Sequence, residues 1–429
     1  MGNRGSRKPR RAFLLCGLVV VLAVGVAACG SSSSSSSDTS GSAESAGGST
    51  AGGSGGETVK LGFVGPVTGP LAFAGEASLN GAEAGVKYLN EGGSESGDEY
   101  ELVIKDDKGD ATTSAADARQ MIGEGVTMIM NIATEGSGAA VQPIINQSKV
   151  LNFGPNNLDI AEGMSASGEF PWSFGTGPGF EQFAEKQIEY AAKVMKVKKV
   201  GEIYSAGPTG EFFHGSTEVA AKKFGVEVVS KSFPETQADV TAQLGELKDA
   251  GVEALLIWTY GTPLVNVAQS LAKIGWVPAA VLTVQGSADP AVVSVLQKQA
   301  PEVLENMYGG VLSTNFIVKK DGSLPTDELA KAYVEDMKAV TGGPLNGNAP
   351  VGVYAFDAVV GYDRGIAGAG STDSEAVAQY LSNNSVELAQ GMSAWTEEDR
   401  SSGVGSESLG LFRTNSNFAN GTGVAPPGN

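Results

Sequence analysis

At 429 residues the chain is too long for one small domain, and its 41% apolar content can fill two or three separate cores. A net charge of −19 excludes nucleic-acid binding, which needs clustered Lys and Arg against phosphate. With one histidine and two cysteines, a disulfide framework, a zinc cluster and histidine-based catalysis have almost nothing to build on.

The chain opens with Arg4, Arg7, Lys8, Arg10 and Arg11, without an acidic residue among them, and continues into an almost wholly apolar stretch over residues 12–28. That stretch falls short of the ~20 residues a bilayer span requires. It ends on Val26-Ala27-Ala28-Cys29, which resembles a bacterial lipobox, so the reading is a signal peptide over 1–28, cut before an acylated Cys29. The alternative is an uncleaved anchor helix. Arg10-Arg11-Ala12-Phe13-Leu14 also looks like a twin-arginine signal, which leaves the export route open. Cleavage removes 28 residues and five positive charges, leaving 401 residues at net charge −24, with Cys29 as the remaining cysteine and no disulfide. Residues 30–56 are rich in Ser, Gly, Ala and Thr, including the run 31–37, and cannot bury a core. With Cys29 they form a flexible tether over 29–56, reaching roughly 25–30 Å.

From residue 59 the pattern alternates between short apolar strands and helices. Strands are expected over 59–65, 101–105, 126–132 and 150–153, with helices over 77–89, 114–124 and 139–147 between them. A second series of the same build follows, with helices over 180–196, 215–224, 241–250 and 264–274 and strands over 199–204, 227–232, 254–260 and 280–284. A strand over 307–312 and helices over 326–340, 352–365 and 374–381 complete the pattern. The fold class is α/β, with two doubly wound parallel-sheet lobes. Ligands of such sheets bind beyond the carboxyl ends of the strands, so the loops that follow strands carry the functional interest.

Those loops carry a recognisable text. Gly65-Pro66-Val67-Thr68-Gly69-Pro70-Leu71-Ala72, then Gly75 and Asn80-Gly81-Ala82, resemble the branched-chain amino-acid (Leu/Ile/Val) binding protein family of ABC transporter substrate-binding proteins. So do Asp106-Asp107-Lys108-Gly109-Asp110, Phe174-Gly175-Thr176-Gly177-Pro178, the stretch 243–251, and Tyr354-Ala355-Phe356-Asp357-Ala358-Val359. The resemblance runs in order from about residue 59 to about residue 381. It implies a type I periplasmic binding fold with one lobe over 57–176 and 311–390 and the other over 177–310 and 391–429, joined by a three-strand hinge. It also implies a monomer that closes on a small-molecule ligand, presents it to ABC permease subunits, and is attached to the extracytoplasmic face of the membrane by its lipid. No nucleic acid, cofactor, metal or enzymatic activity is expected.

An α-amino acid needs N–H and hydroxyl donors for its carboxylate, a carboxylate for its ammonium and an apolar wall for its side chain. Thr134, Glu135, Gly136 and Ser137 stand where the family places the first group, with Glu135 replacing a serine. Glu135 acts either as a helix N-terminal charge or as a contact to a cationic or donor-rich ligand. Asn156, Asn157 and Leu158 replace a small Thr-bearing turn and form either polar contacts or an Asx turn. Thr209 stands where an aromatic is common; Phe212 and Phe213 either supply that wall or belong to the core. Tyr260 matches the family's ligand tyrosine, and Gln285 takes the place of the acid that pairs the ammonium. The altered set at Glu135, Leu158, Thr209 and Gln285 leads to the expectation that the ligand is an amide, a urea-like molecule, an aromatic acid or another amino acid, and not a standard branched-chain one. A sensory module that presents its closed state to a signalling partner is the alternative role.

Overall fold

The computed structural model describes residues 56–69, 71–132, 136–156, 164, 168–318, 322–323 and 326–428. The first series is β1 (Thr58–Gly65), α1 (Ala72–Tyr88), β2 (Glu99–Asp106), α2 (Ala111–Gly123), β3 (Met128–Ile132), α3 (Ser137–Ser148), β4 (Leu151–Asn156) and β5 (Ser173–Gly175). The second is α4 (Phe180–Glu189), β6 (Lys199–Ser205), α5 (Pro208–Phe224), β7 (Glu227–Phe233), α6 (Thr241–Asp249), β8 (Ala254–Trp258), α7 (Gly261–Lys273), β9 (Val281–Thr283), α8 (Pro290–Gln299), α9 (Pro301–Glu305) and β10 (Met307–Ser313). Then come β11 (Ile317–Val318), α10 (Glu328–Thr341), α11 (Ala349–Ala369), α12 (Ser374–Asn383), β12 (Glu387–Leu388), β13 (Gly391–Met392), β14 (Leu409–Arg413) and β15 (Gly423–Val424).

The first sheet is all parallel in the order β2-β1-β3-β4-β5. The second runs β14-β10-β9-β8-β6-β7, parallel except for β14, which lies antiparallel against β10. Apart from β14, both sheets therefore have the doubly wound order 2-1-3-4-5, with a switch point between their first and third strands. Their central strands β3 and β8 are buried at every position, because helices cover both faces. This is why they read in the sequence as unbroken apolar runs.

One core joins the first sheet to α1, α10 and α11, and two more flank the faces of the second sheet. Helix α11 is buried along most of its length and packs directly on α1. A methyl group at Gly81 would lie 1.9 Å from the Gly352 carbonyl oxygen, so only glycine lets the two backbones come this close. The C-terminal tail, expected wholly with the second lobe, is divided. Its β14 extends the second sheet, whereas Trp395 and Phe418 lie in the first core. Val311, Leu312 and Ser313, expected with the first lobe, pair with β14 in the second sheet.

Helices α8 and α9 occupy a stretch to which the sequence reading assigns no element. Each begins with a proline in its first turn, and the Asp289 carboxylate caps α8 by accepting from Ala291 N at 2.8 Å. Helix α5 begins at Pro208, earlier than the expected 215, and so absorbs Thr209 into its first turn.

Candidate functional site

The loops after β1 and β3 flank the switch point of the first sheet, and those after β6 and β8 flank that of the second. Near the first, Asp106 accepts from Thr68 N at 3.1 Å and Thr68 Oγ1 at 2.5 Å, tying the β1 loop to the end of β2. These bonds hold its carboxyl below the ordinary carboxylate range, although partial burial pulls the other way. Asp107 is buried and accepts from Ser114 Oγ at 2.5 Å and Gly109 N at 2.8 Å. The carboxylates of this acidic loop are thus engaged in fixing the turn into α2.

Thr134, Glu135, Asn157 and Leu158 lie outside the described residues. Gly136 caps α3 in the left-handed region at φ 83°, and Ser137 is buried as the first residue of that helix. Asn156 closes β4 opposite Ile132. Thr209 is half-buried in the first turn of α5. Tyr260 takes the N-cap position of α7, and burial raises its hydroxyl pKa. Phe213 is core: it is buried and stacks on Trp258 with ring centroids 4.4 Å apart and planes 5° apart.

The structure brings Tyr260 and Gln285 together. A methyl group at Gly286 would lie 3.3 Å from Tyr260 Cδ1 and 3.6 Å from Phe73 Cε2, so the rings of a second-lobe loop and of α1 converge on that glycine. Gln285 Nε2 donates to the Tyr354 hydroxyl on α11 and to the Val311 carbonyl, which joins the loop after β9 to the first lobe. Beside it, Asn348 Nδ2 donates to Asp289 Oδ2 at 3.0 Å. A methyl group at Gly347 would lie 1.8 Å from the Ala288 carbonyl oxygen, so glycine is required there as well. Phe73 and Tyr354 are not site residues in the sequence reading. Their signal was position: Phe73 sits at the start of the helix that follows the β1 loop, and Tyr354 opens one of the family-like segments.

Three segments cross between the lobes and are bonded to one another. Gln390 Nε2 donates to the Thr176 carbonyl at 2.9 Å, Ser313 Oγ donates to the Gln390 carbonyl at 2.7 Å, and Gly175 N donates to the Arg400 carbonyl at 2.7 Å. Trp395 Nε1 donates to the Gly175 carbonyl at 2.7 Å.

Two α/β lobes with matching strand order, joined by three crossings, define a type I periplasmic binding architecture. Residues 58–417 match the periplasmic binding protein family, and the chain belongs to it. It is 28% identical over 345 residues to a Leu/Ile/Val-binding protein homolog of Brucella melitensis, covering 79% of this chain and 87% of that one. A type 1 periplasmic binding protein of Bordetella pertussis superposes with a TM-score of 0.68 at 19% identity, covering 83% and 96% of the two chains. A solute binding protein of an ABC transporter from R. palustris, solved in complex with 4-hydroxybenzoate, gives 0.63 at 18% identity, covering 83% and 92%. These relatives are binding proteins, and membership of the family implies an extracytoplasmic location. No helix among the described residues is long and apolar enough to cross a membrane.

Proposed function

We propose that the chain is the capture subunit of a bacterial ABC importer, exported, acylated at Cys29 and held at the outer face of the cell membrane by its Ser/Gly tether. Its lobes close on one small polar ligand and present it to a permease. The observation that carries this reading is the meeting of Phe73 and Tyr354, from helices of the first lobe, with Tyr260 and Gln285, from strand-end loops of the second. A ligand gripped from both sides favours the closed state, because it binds that state better than the open one. In this reading the first lobe contributes the sequence-expected contacts Thr134, Glu135, Gly136, Ser137, Asn156, Asn157 and Leu158, and the second contributes Thr209, Tyr260 and Gln285.

The ligand of this reading is an amide, a urea-like molecule or an aromatic acid. Gln285 carries no charge to pair an ammonium, and its amide nitrogen is engaged by Tyr354 and Val311. A fold neighbour that holds 4-hydroxybenzoate supports the aromatic option. The test is calorimetric titration with leucine, isoleucine, acetamide, urea and 4-hydroxybenzoate, preceded by a thermal-shift screen. Heat from one of the last three is expected, and tight leucine binding overturns the ligand class. With the ligand so found, Tyr260→Ala should weaken binding by more than about tenfold, or ~1.4 kcal/mol; an unchanged Kd removes Tyr260 from the site. Radiolabelled palmitate should mark the wild type and not Cys29→Ala.

A further inference from the structure

A fully buried carboxyl lies outside the ligand-facing loops. Asp357 lies on α11 with no solvent exposure, directly beneath the crossing segments. Its Oδ1 accepts from Ala389 N at 2.7 Å, and its Oδ2 accepts from Gln390 N at 3.3 Å and Gln390 Nε2 at 2.8 Å. The same Gln390 amide nitrogen reaches the Thr176 carbonyl in the first crossing, and the Gln390 carbonyl accepts from Ser313 in the second. Asn315 Nδ2 adds a bond to the Ala389 carbonyl at 3.1 Å. One residue, Gln390, therefore ties all three crossings, reaching the first through its side-chain amide and the second through its backbone carbonyl, and one carboxylate fixes the orientation of that amide.

We propose that Asp357 is a proton-responsive positioning residue for lobe movement: as a carboxylate it holds Gln390 across the three crossings, and on gaining a proton it releases the Gln390–Thr176 tie. All three groups directed at Asp357 are N–H donors, so the carboxylate form completes them. A proton on Oδ2 turns that oxygen into a donor facing donors. The nearby oxygen able to receive it is Gln390 Oε1, which is buried and has no partner. Turning the amide to offer Oε1 takes Nε2 off both Asp357 and Thr176. Burial pushes this carboxyl up to about 7, while the donated hydrogen bonds and Arg364 pull it down. The other titratable groups facing it are the Tyr333 hydroxyl from α10 and the Tyr354 hydroxyl from α11, both held neutral by burial. The proton therefore comes and goes within the range an extracytoplasmic protein meets.

This inference rests on the lobe-closure part of the proposed function and on none of its ligand chemistry, so it is tested on the ligand-free full chain. Hydrogen exchange read by mass spectrometry at pH 5.5 to 8.5, corrected for intrinsic exchange, follows peptides covering 173–179, 311–316 and 388–394. Protection there should fall by about tenfold toward the acid end, with peptides of β3 and β8 unchanged. Asp357→Asn, which cannot ionise, and Gln390→Met, which cannot transmit the change, should each abolish the pH dependence. A flat profile in the wild type, or the wild-type profile persisting in Gln390→Met, overturns the proposal. If Asp357→Asn fails to fold, the other two profiles decide. A failed ligand titration would leave this result standing, and a flat exchange profile would leave ligand capture standing.

Discussion

Each lobe holds a fully buried carboxylate that burial pushes upward, Asp357 in the first and Glu202 in the second, and the two are wired differently. In the second lobe Glu202, on β6, accepts from His214 Nδ1 at 2.6 Å, Ser230 Oγ at 2.8 Å and Trp258 Nε1 at 2.9 Å. All of these partners belong to the same sheet and its covering helix α5. In the first lobe Asp357 is bonded to chain that leaves the lobe. Burial raises both carboxyls above their ordinary range. Desolvation in the same direction thus has two consequences: a charge enclosed by a rigid layer stiffens that layer, whereas a charge bonded to a crossing segment couples its proton to movement.

The comparison can be broken most severely at Trp258, which stacks on Phe213 and donates to Glu202. Trp258→Ala should cost about 3–5 kcal/mol, through the lost core volume and a weakened set of donors to Glu202. Urea unfolding should show the loss, with hydrogen exchange rising in the second lobe first. A loss spread evenly over both lobes would contradict the self-contained wiring of Glu202.

Global stability should also fall as pH rises. Asp357 has a folded-state pKa of about 7 and an unfolded value near 3.8, so the native state binds the extra proton between those limits. Its contribution is fully present below the unfolded value and is lost as pH rises through about 7, with a span on the order of 4 kcal/mol. The neutral carboxyl is cheaper to bury yet holds Gln390 less well, so global stability and hinge order move in opposite directions with pH. Denaturant melts of wild type and Asp357→Asn from pH 4 to 8 should show the slope in the first and a flatter line in the second.

Glu202→Gln sharpens the contrast at smaller cost. It turns one acceptor into a donor facing donors and should destabilise by about 1–3 kcal/mol. Exchange at 173–179 and 388–394 should be unchanged at every pH. Smallest of all, Lys223→Ala removes a 2.8 Å pair with Glu185 between two exposed or half-buried side chains, and should move stability by no more than about 0.5 kcal/mol.

Much of the fold is legible along the chain. Buried parallel strands appear as apolar runs such as 254–258, and small residues mark the helix that meets another backbone, as at Gly81. Pairings between distant segments are not legible. The β14 strand follows the rest of its sheet by almost a hundred residues and joins it antiparallel, with nothing local to announce its partner. The α8 start did carry a local sign in Asp289-Pro290, a cap followed by a first-turn proline. At the candidate site, Tyr260 and Gln285 stand out as polar residues ending strands. Tyr354 does not, because its partner lies 69 residues away.

The sequence by itself determined the two alternating series, their doubly wound character and the polar residues closing their strands, because burial and secondary-structure period are written locally. It also carried the export and acylation reading at Cys29. Only the tertiary structure decided that Phe73 and Tyr260 converge on Gly286, that Gln285 reaches across to Tyr354, and that Asp357 is bonded to the segment that ties the crossings together. Those facts depend on which distant groups supply hydrogen bonds and exclude water, and the cost of a buried charge is set by that surrounding, not by the charged residue itself.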